Sequence, residues 1–191
     1  MTNYPSSNSD NDHALIRQLQ SGDTAAFEPL TKKYWHQVHF VCLKYLRDVE
    51  LASDAAQETF ISAFTGIGTF DSARDFRPWL LKIAVNKSLR LIKKDQKHRT
   101  LAREIQPTKP SSSNPSEVFA DKQLIDDCLA RLEFDEQILF VLRHGLDLAY
   151  DEMAQILEKP VGSVKGELFR VRRKLKEMLE NVQGKEVENV V

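Results

Sequence analysis

The chain has 191 residues, enough for one domain or two small ones. Hydrophobic residues make up 41% and charged residues 29%, a composition that excludes disorder over the whole chain and suits a soluble globular protein. Basic and acidic residues, 27 and 28, nearly cancel, so any nucleic-acid affinity must come from where the charges sit.

No stretch approaches ~18 consecutive apolar residues, which excludes a transmembrane helix. The polar start, Met1 to Asp12, lacks the basic-then-apolar pattern of an export signal. Cys42 and Cys128 lie far apart and no C-x-x-C occurs, which argues against a disulfide framework or a structural zinc cluster. The expectation is a reduced, cytoplasmic protein without membrane insertion.

Helical spacing dominates the sequence. Residues 1–11 read as a frayed tail. A short helix follows with Leu15, Ile16 and Leu19 on one side, stopped by Gly22. Thr24 is a candidate cap for a long helix to about Leu46, with Phe27, Leu30, Tyr34, Val38, Val41 and Tyr45 in one apolar stripe. Pro29 should kink or delay its first turn. Asp48 caps a third helix to about Phe64. One side of it is Ala52, Ala55, Phe60, Ala63 and Phe64; the other carries Asp54, Gln57, Glu58 and Ile61. Gly66, Gly68 and Asp71 mark a loop, and Pro78 fits the first turn of a fourth helix reaching about Lys97.

The stretch Gln106 to Ser116, with Pro107, Pro110 and Pro115 among serines, reads as a flexible linker. Beyond it, Phe119 to Leu132 is helical and Asp135 caps a helix closed by Gly145. Tyr150 to Leu157 is then followed by a break at Glu158-Lys159-Pro160 and a basic helix to about Leu179. Two helices across a three-residue break form a helix-turn-helix pattern. The fold class is therefore all-α: two small helical domains joined by a flexible linker.

Charge is concentrated in two islands. Arg74 to Arg99 holds nine basic residues against two acidic ones, a net of +7, and Lys159 to Lys176 holds seven against one, a net of +6. Lys82, Asn86, Arg90, Lys93 and Lys97 recur at three and four and line one helix face. Cations on one face suit phosphates, and Asn offers both a donor and an acceptor to a base edge. His36, His39 and Cys42 share an arc, but no carboxylate completes a metal set, so neither metal nor cofactor is expected. No phosphate-binding glycine loop, nucleophile elbow or His-Glu-x-x-His occurs, and an enzyme is not expected.

Three segments carry a resemblance. Asp54-Ala-Ala-Gln-Glu-Thr-Phe-Ile-Ser-Ala-Phe64 resembles the core-binding helix of bacterial sigma factors. Phe76-Arg-Pro-Trp-Leu-Leu-Lys-Ile-Ala-Val-Asn86 resembles the promoter-melting segment after it. Tyr150 to Leu157, Pro160 to Lys165 and Leu168 to Leu175 resemble the family's C-terminal helix-turn-helix. Order, linker and length are similar to the extracytoplasmic-function (ECF) group.

The resemblance implies a transcription initiation factor that binds core RNA polymerase and promoter DNA. The implied divisions are a region 2-like domain at 12–99, a linker at 100–117, a region 4-like domain at 118–179 and a tail at 180–191. Asp54, Gln57, Glu58 and Ile61 would contact polymerase. Phe70, Arg77, Trp79, Lys82, Asn86, Arg90 and Lys93 would serve the −10 element, with promoter melting by the N-terminal domain. Ser163, Lys165, Gly166, Glu167, Phe169, Arg170 and Arg173 would serve the −35 element. An anti-sigma partner is common in the family, and the free protein would be a monomer.

Some positions stay open on the residues alone. Trp79 either stacks on a base or packs on the loop. Phe169 either faces DNA or packs beside Leu168 and Leu175. Glu167 either accepts from cytosine N4 or pairs with Arg170 on the surface. Departures from the family pattern are Leu132-Glu-Phe-Asp135, Ala149 in place of a capping serine, Glu158 in place of the turn glycine and Lys165-Gly-Glu-Leu168. A free-standing helix-turn-helix regulator would need neither the Asp54-Gln57-Glu58 face nor the basic fourth helix. An interaction protein without DNA binding would show eroded basic islands.

Overall fold

The computed structural model describes residues 9–101 and 127–188. Those residues form helices and turns without a strand: α1 (Ser9–Gln20), α2 (Phe27–Leu46), α3 (Val49–Gly66) and α4 (Phe76–Leu101), then α5 (Phe134–Phe140), α6 (Tyr150–Leu157) and α7 (Val161–Glu188). Residues 127–130 are helical as well. Most of the expected linker lies outside the described residues, as does the first part of the helix expected from Phe119.

Boundaries moved where capping chemistry differed from the expectation. α1 takes in Ser9 to Asn11, placed in the tail by the sequence reading, and α7 continues past Leu179 to Glu188. Asp23 rather than Thr24 caps the second segment. Its carboxylate accepts from the Ala25 amide at 3.1 Å and opens a 3-10 turn, Thr24–Ala26, before α2. Pro29 thus falls in the first turn of α2, where no intrahelical partner for an N–H exists. Asp48 caps α3 as expected, accepting from Leu51 N at 2.9 Å. Glu133 rather than Asp135 precedes α5, and Glu136 reaches back to the Glu133 amide at 2.9 Å. A π-helical turn, Val141–Gly145, follows. α6 lacks a capping side chain at Ala149, but Glu152 accepts from the Ala149 amide at 2.8 Å and supplies half of a capping box.

α2, α3 and α4 pack together around Leu30, Tyr34, Val38, Ala52, Ala56, Phe60, Leu80 and Leu81, all buried. Alanines on α3 let α2 and α4 approach closely. The same core runs without interruption into Ile138, Leu142, Leu146, Leu148, Met153, Ile156, Val164 and Leu168. A smaller cluster of Cys128, Leu132, Val171 and Leu175 closes the far side of α7. α4 therefore lies between the N-terminal helices and α6, its basic face turned partly toward the C-terminal elements.

Candidate nucleic-acid interface

α3 buries Ala52, Ala55, Ala56, Thr59, Phe60 and Ala63 and presents the opposite face. Asp54, Gln57, Glu58 and Ile61 are all exposed there, Ile61 by 63%. Glu58 is partly engaged, accepting from Lys87 Nζ of α4 at 3.1 Å. Phe64, expected on the inner side, is 39% exposed with its ring edge against Phe27.

The residues expected at the −10 element do not form one open surface. Phe70 is buried, its ring 4.8 Å from Trp79 and 5.9 Å from Phe76, so it supports the loop and cannot present a stacking face. Trp79 is half-buried and covers Gly66, whose added Cβ would sit 3.7 Å from the indole. Packing on the loop is thus the geometry of Trp79. Gln20, unremarked in the sequence, pins that loop to α1: its Nε2 donates to the carbonyls of Ile67 at 3.0 Å and Phe70 at 2.8 Å.

Arg77 departs furthest from the expectation of a DNA-facing cation. It is buried at the head of α4, where Nε donates to Gln37 Oε1 at 2.9 Å and Nη2 to the Leu146 carbonyl at 2.6 Å. Nη1 faces Glu152 Oε1 at 3.4 Å. These partners sit 40 to 75 residues away in sequence, so no local pattern announced them. Lys82 is half-buried and pairs with Glu158 at 2.6 Å. Asn86 is exposed at the lip of a cleft of about 220 Å³, shared with Tyr45, Asp135, Ile156, Glu158 and Lys159. Arg90 and Lys93 are exposed.

α7 divides cleanly. Val164, Leu168, Val171 and Leu175 are buried, while Ser163, Lys165, Phe169, Arg170 and Arg173 are exposed. Phe169, 66% exposed, faces outward and does not pack beside Leu168. Gly166 has open space above its Cα. Glu167 takes neither orientation foreseen for it: it accepts from Lys159 Nζ at 2.8 Å, across the turn. Lys165 also lies over the Tyr150 ring, 5.5 Å from its centroid, with Arg143 at 5.4 Å from the same ring.

The histidine–cysteine arc holds no metal geometry. Cys42 is buried and its thiol is pushed up by that burial, while His39 Nε2 lies 3.2 Å from Ser53 Oγ. Among the described residues no three His, Cys, Asp or Glu side chains cluster to hold an ion, and no helix is long and apolar enough to cross a membrane.

The Sigma-70 region 2 model matches residues 30–98 and the Sigma-70 region 4 model residues 122–175. The ECF RNA polymerase sigma factor SigW of Bacillus subtilis (strain 168) is 31% identical over 180 residues, spanning 87% of this chain and 96% of that protein. The chain belongs to the ECF sigma factors of the sigma-70 family. The RNA polymerase sigma-H factor of Pseudomonas aeruginosa is also similar to this sigma factor, at 26% identity over 88% of the chain and 94% of the relative. Two solved structures share the fold. CnrH, in complex with the cytosolic domain of CnrY, superposes with a TM-score of 0.66 at 24% identity, covering 90% of this chain and 99% of that one. The sigma factor RpoE of Bartonella quintana, in complex with the anti-sigma factor NepR, gives 0.64 at 18% identity, covering 81% and 96%. Family membership makes this a sigma factor that directs RNA polymerase to promoters.

Proposed function

We propose that this sigma factor binds core RNA polymerase through the outer face of α3 and directs it to −10 and −35 elements. A region 2-like domain spans 12–99 and a region 4-like domain 118–179, and the chain works in the cytoplasm as a monomer when free. The outer face of α3 carries the reading. Asp54, Gln57 and Glu58 surround an isoleucine left 63% in water, on a helix whose other face is sealed. An exposed Ile within a polar rim suits a protein partner, and a free-standing helix-turn-helix regulator has no use for one.

The N-terminal domain melts the −10 element with Lys82, Asn86, Arg90 and Lys93 along the strand, Arg77 becoming available once its interior partners release it. Trp79 and Phe70 hold the shape of the loop. The −35 element meets Ser163, Lys165, Phe169, Arg170 and Arg173, with Gly166 permitting close approach to the groove. An anti-sigma factor is a further partner, as NepR is for RpoE of Bartonella quintana. The test is promoter-dependent transcription by purified core polymerase supplemented with the chain. Ile61→Asp should abolish it while leaving the circular-dichroism melt unchanged. Transcription by Ile61→Asp equal to wild type would overturn the assignment of α3.

A further inference from the structure

α4 meets the C-terminal elements through charge as well as apolar packing. Arg77 is 7% exposed and faces Glu152, and Lys82, further along α4, is held by Glu158 at 2.6 Å. Lys82 belongs to the basic face of α4 and Arg77 lies at the buried head of the same helix; both were expected at the −10 element, and both are met by carboxylates from the helix-turn-helix. Asn86, between Lys82 and Arg90 on that face, lines the cleft that Glu158 and Lys159 close from the other side.

Glu158 has a backbone φ of 55°. That left-handed conformation disfavours a residue with a Cβ and suits glycine. The turn between α6 and α7 would form more readily with glycine. The residue that stands there instead places a carboxylate on Lys82.

We propose that Glu152 and Glu158 occupy the phosphate positions of Arg77 and Lys82 in the free chain, so that the C-terminal domain masks the −10 face until DNA phosphodiesters replace the carboxylates. The inference rests on the −10 role of α4. Carboxylate and phosphodiester oxygens are equivalent acceptors for guanidinium and ammonium groups, so one can replace the other. The masking is selective. Asp54, Gln57 and Ile61 on α3 and Lys165, Phe169, Arg170 and Arg173 on α7 remain exposed in the same arrangement. Polymerase and duplex DNA can therefore engage before the single strand does.

The test compares the full chain with Glu158→Gly, Glu158→Gln and Glu152→Gln. Small-angle scattering reads domain separation, and anisotropy of a fluorescein-labelled single-stranded oligodeoxynucleotide carrying a −10 sequence reads access to α4. Both Glu158 variants should tighten oligonucleotide binding about two- to fivefold, as expected for a partly exposed ion pair. Glu152→Gln leaves Arg77 its bonds to Gln37 and the Leu146 carbonyl, and should tighten binding by no more than the Glu158 variants do. All three should raise the radius of gyration. Asp151→Asn removes one exposed charge from α6 without touching either pair, and should change neither reading. An unchanged radius in all three variants, with promoter-dependent transcription intact, overturns the masking alone. A larger radius without tighter binding overturns the −10 assignment beneath it. Tighter binding equalled by Asp151→Asn reduces the effect to net charge and also overturns the masking.

Discussion

Buried polar residues decide which helices of this sigma factor meet. Asp12 of α1 is 3% exposed, and its carboxylate receives Lys33 Nζ at 2.7 and 2.8 Å and the Tyr34 hydroxyl at 2.5 Å. A buried carboxylate is costly unless its lone pairs are filled, so these donors fix α1 to α2. Burial first, then the bond to Asp12, pushes the Tyr34 hydroxyl far above the usual tyrosine range. A raised folded value favours the neutral form. Its contribution is complete below about pH 10 and is lost as the unfolded chain ionises above it. Tyr45, also raised by burial, adds to the same alkaline decline. Tyr34→Phe should cost about 1–3 kcal/mol at neutral pH by leaving Asp12 short of a donor. It should also flatten the loss of stability between pH 9 and 11 relative to wild type. Urea unfolding at pH 7 and pH 10.5 checks both, and an unchanged midpoint at pH 7 would remove the Asp12 bond from the account of α1 docking.

At the scale of elements, the recognition helix shows what a charge pattern leaves unsettled. Spacing put Lys165 and Arg173 on one outer stripe, because a period of 3.6 fixes which side chains share a side, but it left Phe169 open between that stripe and the core. It did not fix Glu167. The choice between the groove and Arg170 overlooked Lys159, eight residues back across a turn whose path depends on Glu158 at positive φ. Tied to Lys159, Glu167 braces the turn between α6 and α7. Arg170→Ala should therefore weaken −35 binding by ~1–3 kcal/mol if it forms a bidentate base contact. Glu167→Ala should leave the ranking of −35 sequences unchanged. Binding titrations on duplexes varied at each −35 base decide this, and a changed base preference for Glu167→Ala would return it to the groove. The other elements were legible to similar depth. Helix types and Asp48 as a cap came from local sequence, whereas Gln20, the partners of Arg77 and the role of Glu152 depend on contacts between distant segments. Phe70 misled and Trp79 stayed open for the same reason: aromatic residues beside a loop look alike whether they present a face or close a core.

At the scale of the whole molecule, the apolar contact between the two domains matters most. Tyr45 of α2 meets Phe134 edge to face at 5.5 Å, and Gly145 approaches Phe40 so closely that an added Cβ would lie 2.9 Å from the ring. An Arg47 Nη2 bond to Gln137 Oε1 at 2.7 Å adds a polar contact at the margin. Two helical domains on one chain did not imply such an interface, because the stripes of α2 and α5 each look satisfied within their own domain. A continuous core should unfold in one cooperative step. Gly145→Ala forces either the Phe40 ring or the π-helical turn to shift, at a cost of about 1–3 kcal/mol. Phe40→Ala should remove the obstruction while losing its own packing. The double variant should then cost less than the two single changes together, by at least about 0.5 kcal/mol, because residues in contact do not act additively. Denaturant unfolding of the four proteins measures that coupling. Strict additivity would mean that Gly145 is required by its own turn and that Phe40 does not feel the C-terminal domain.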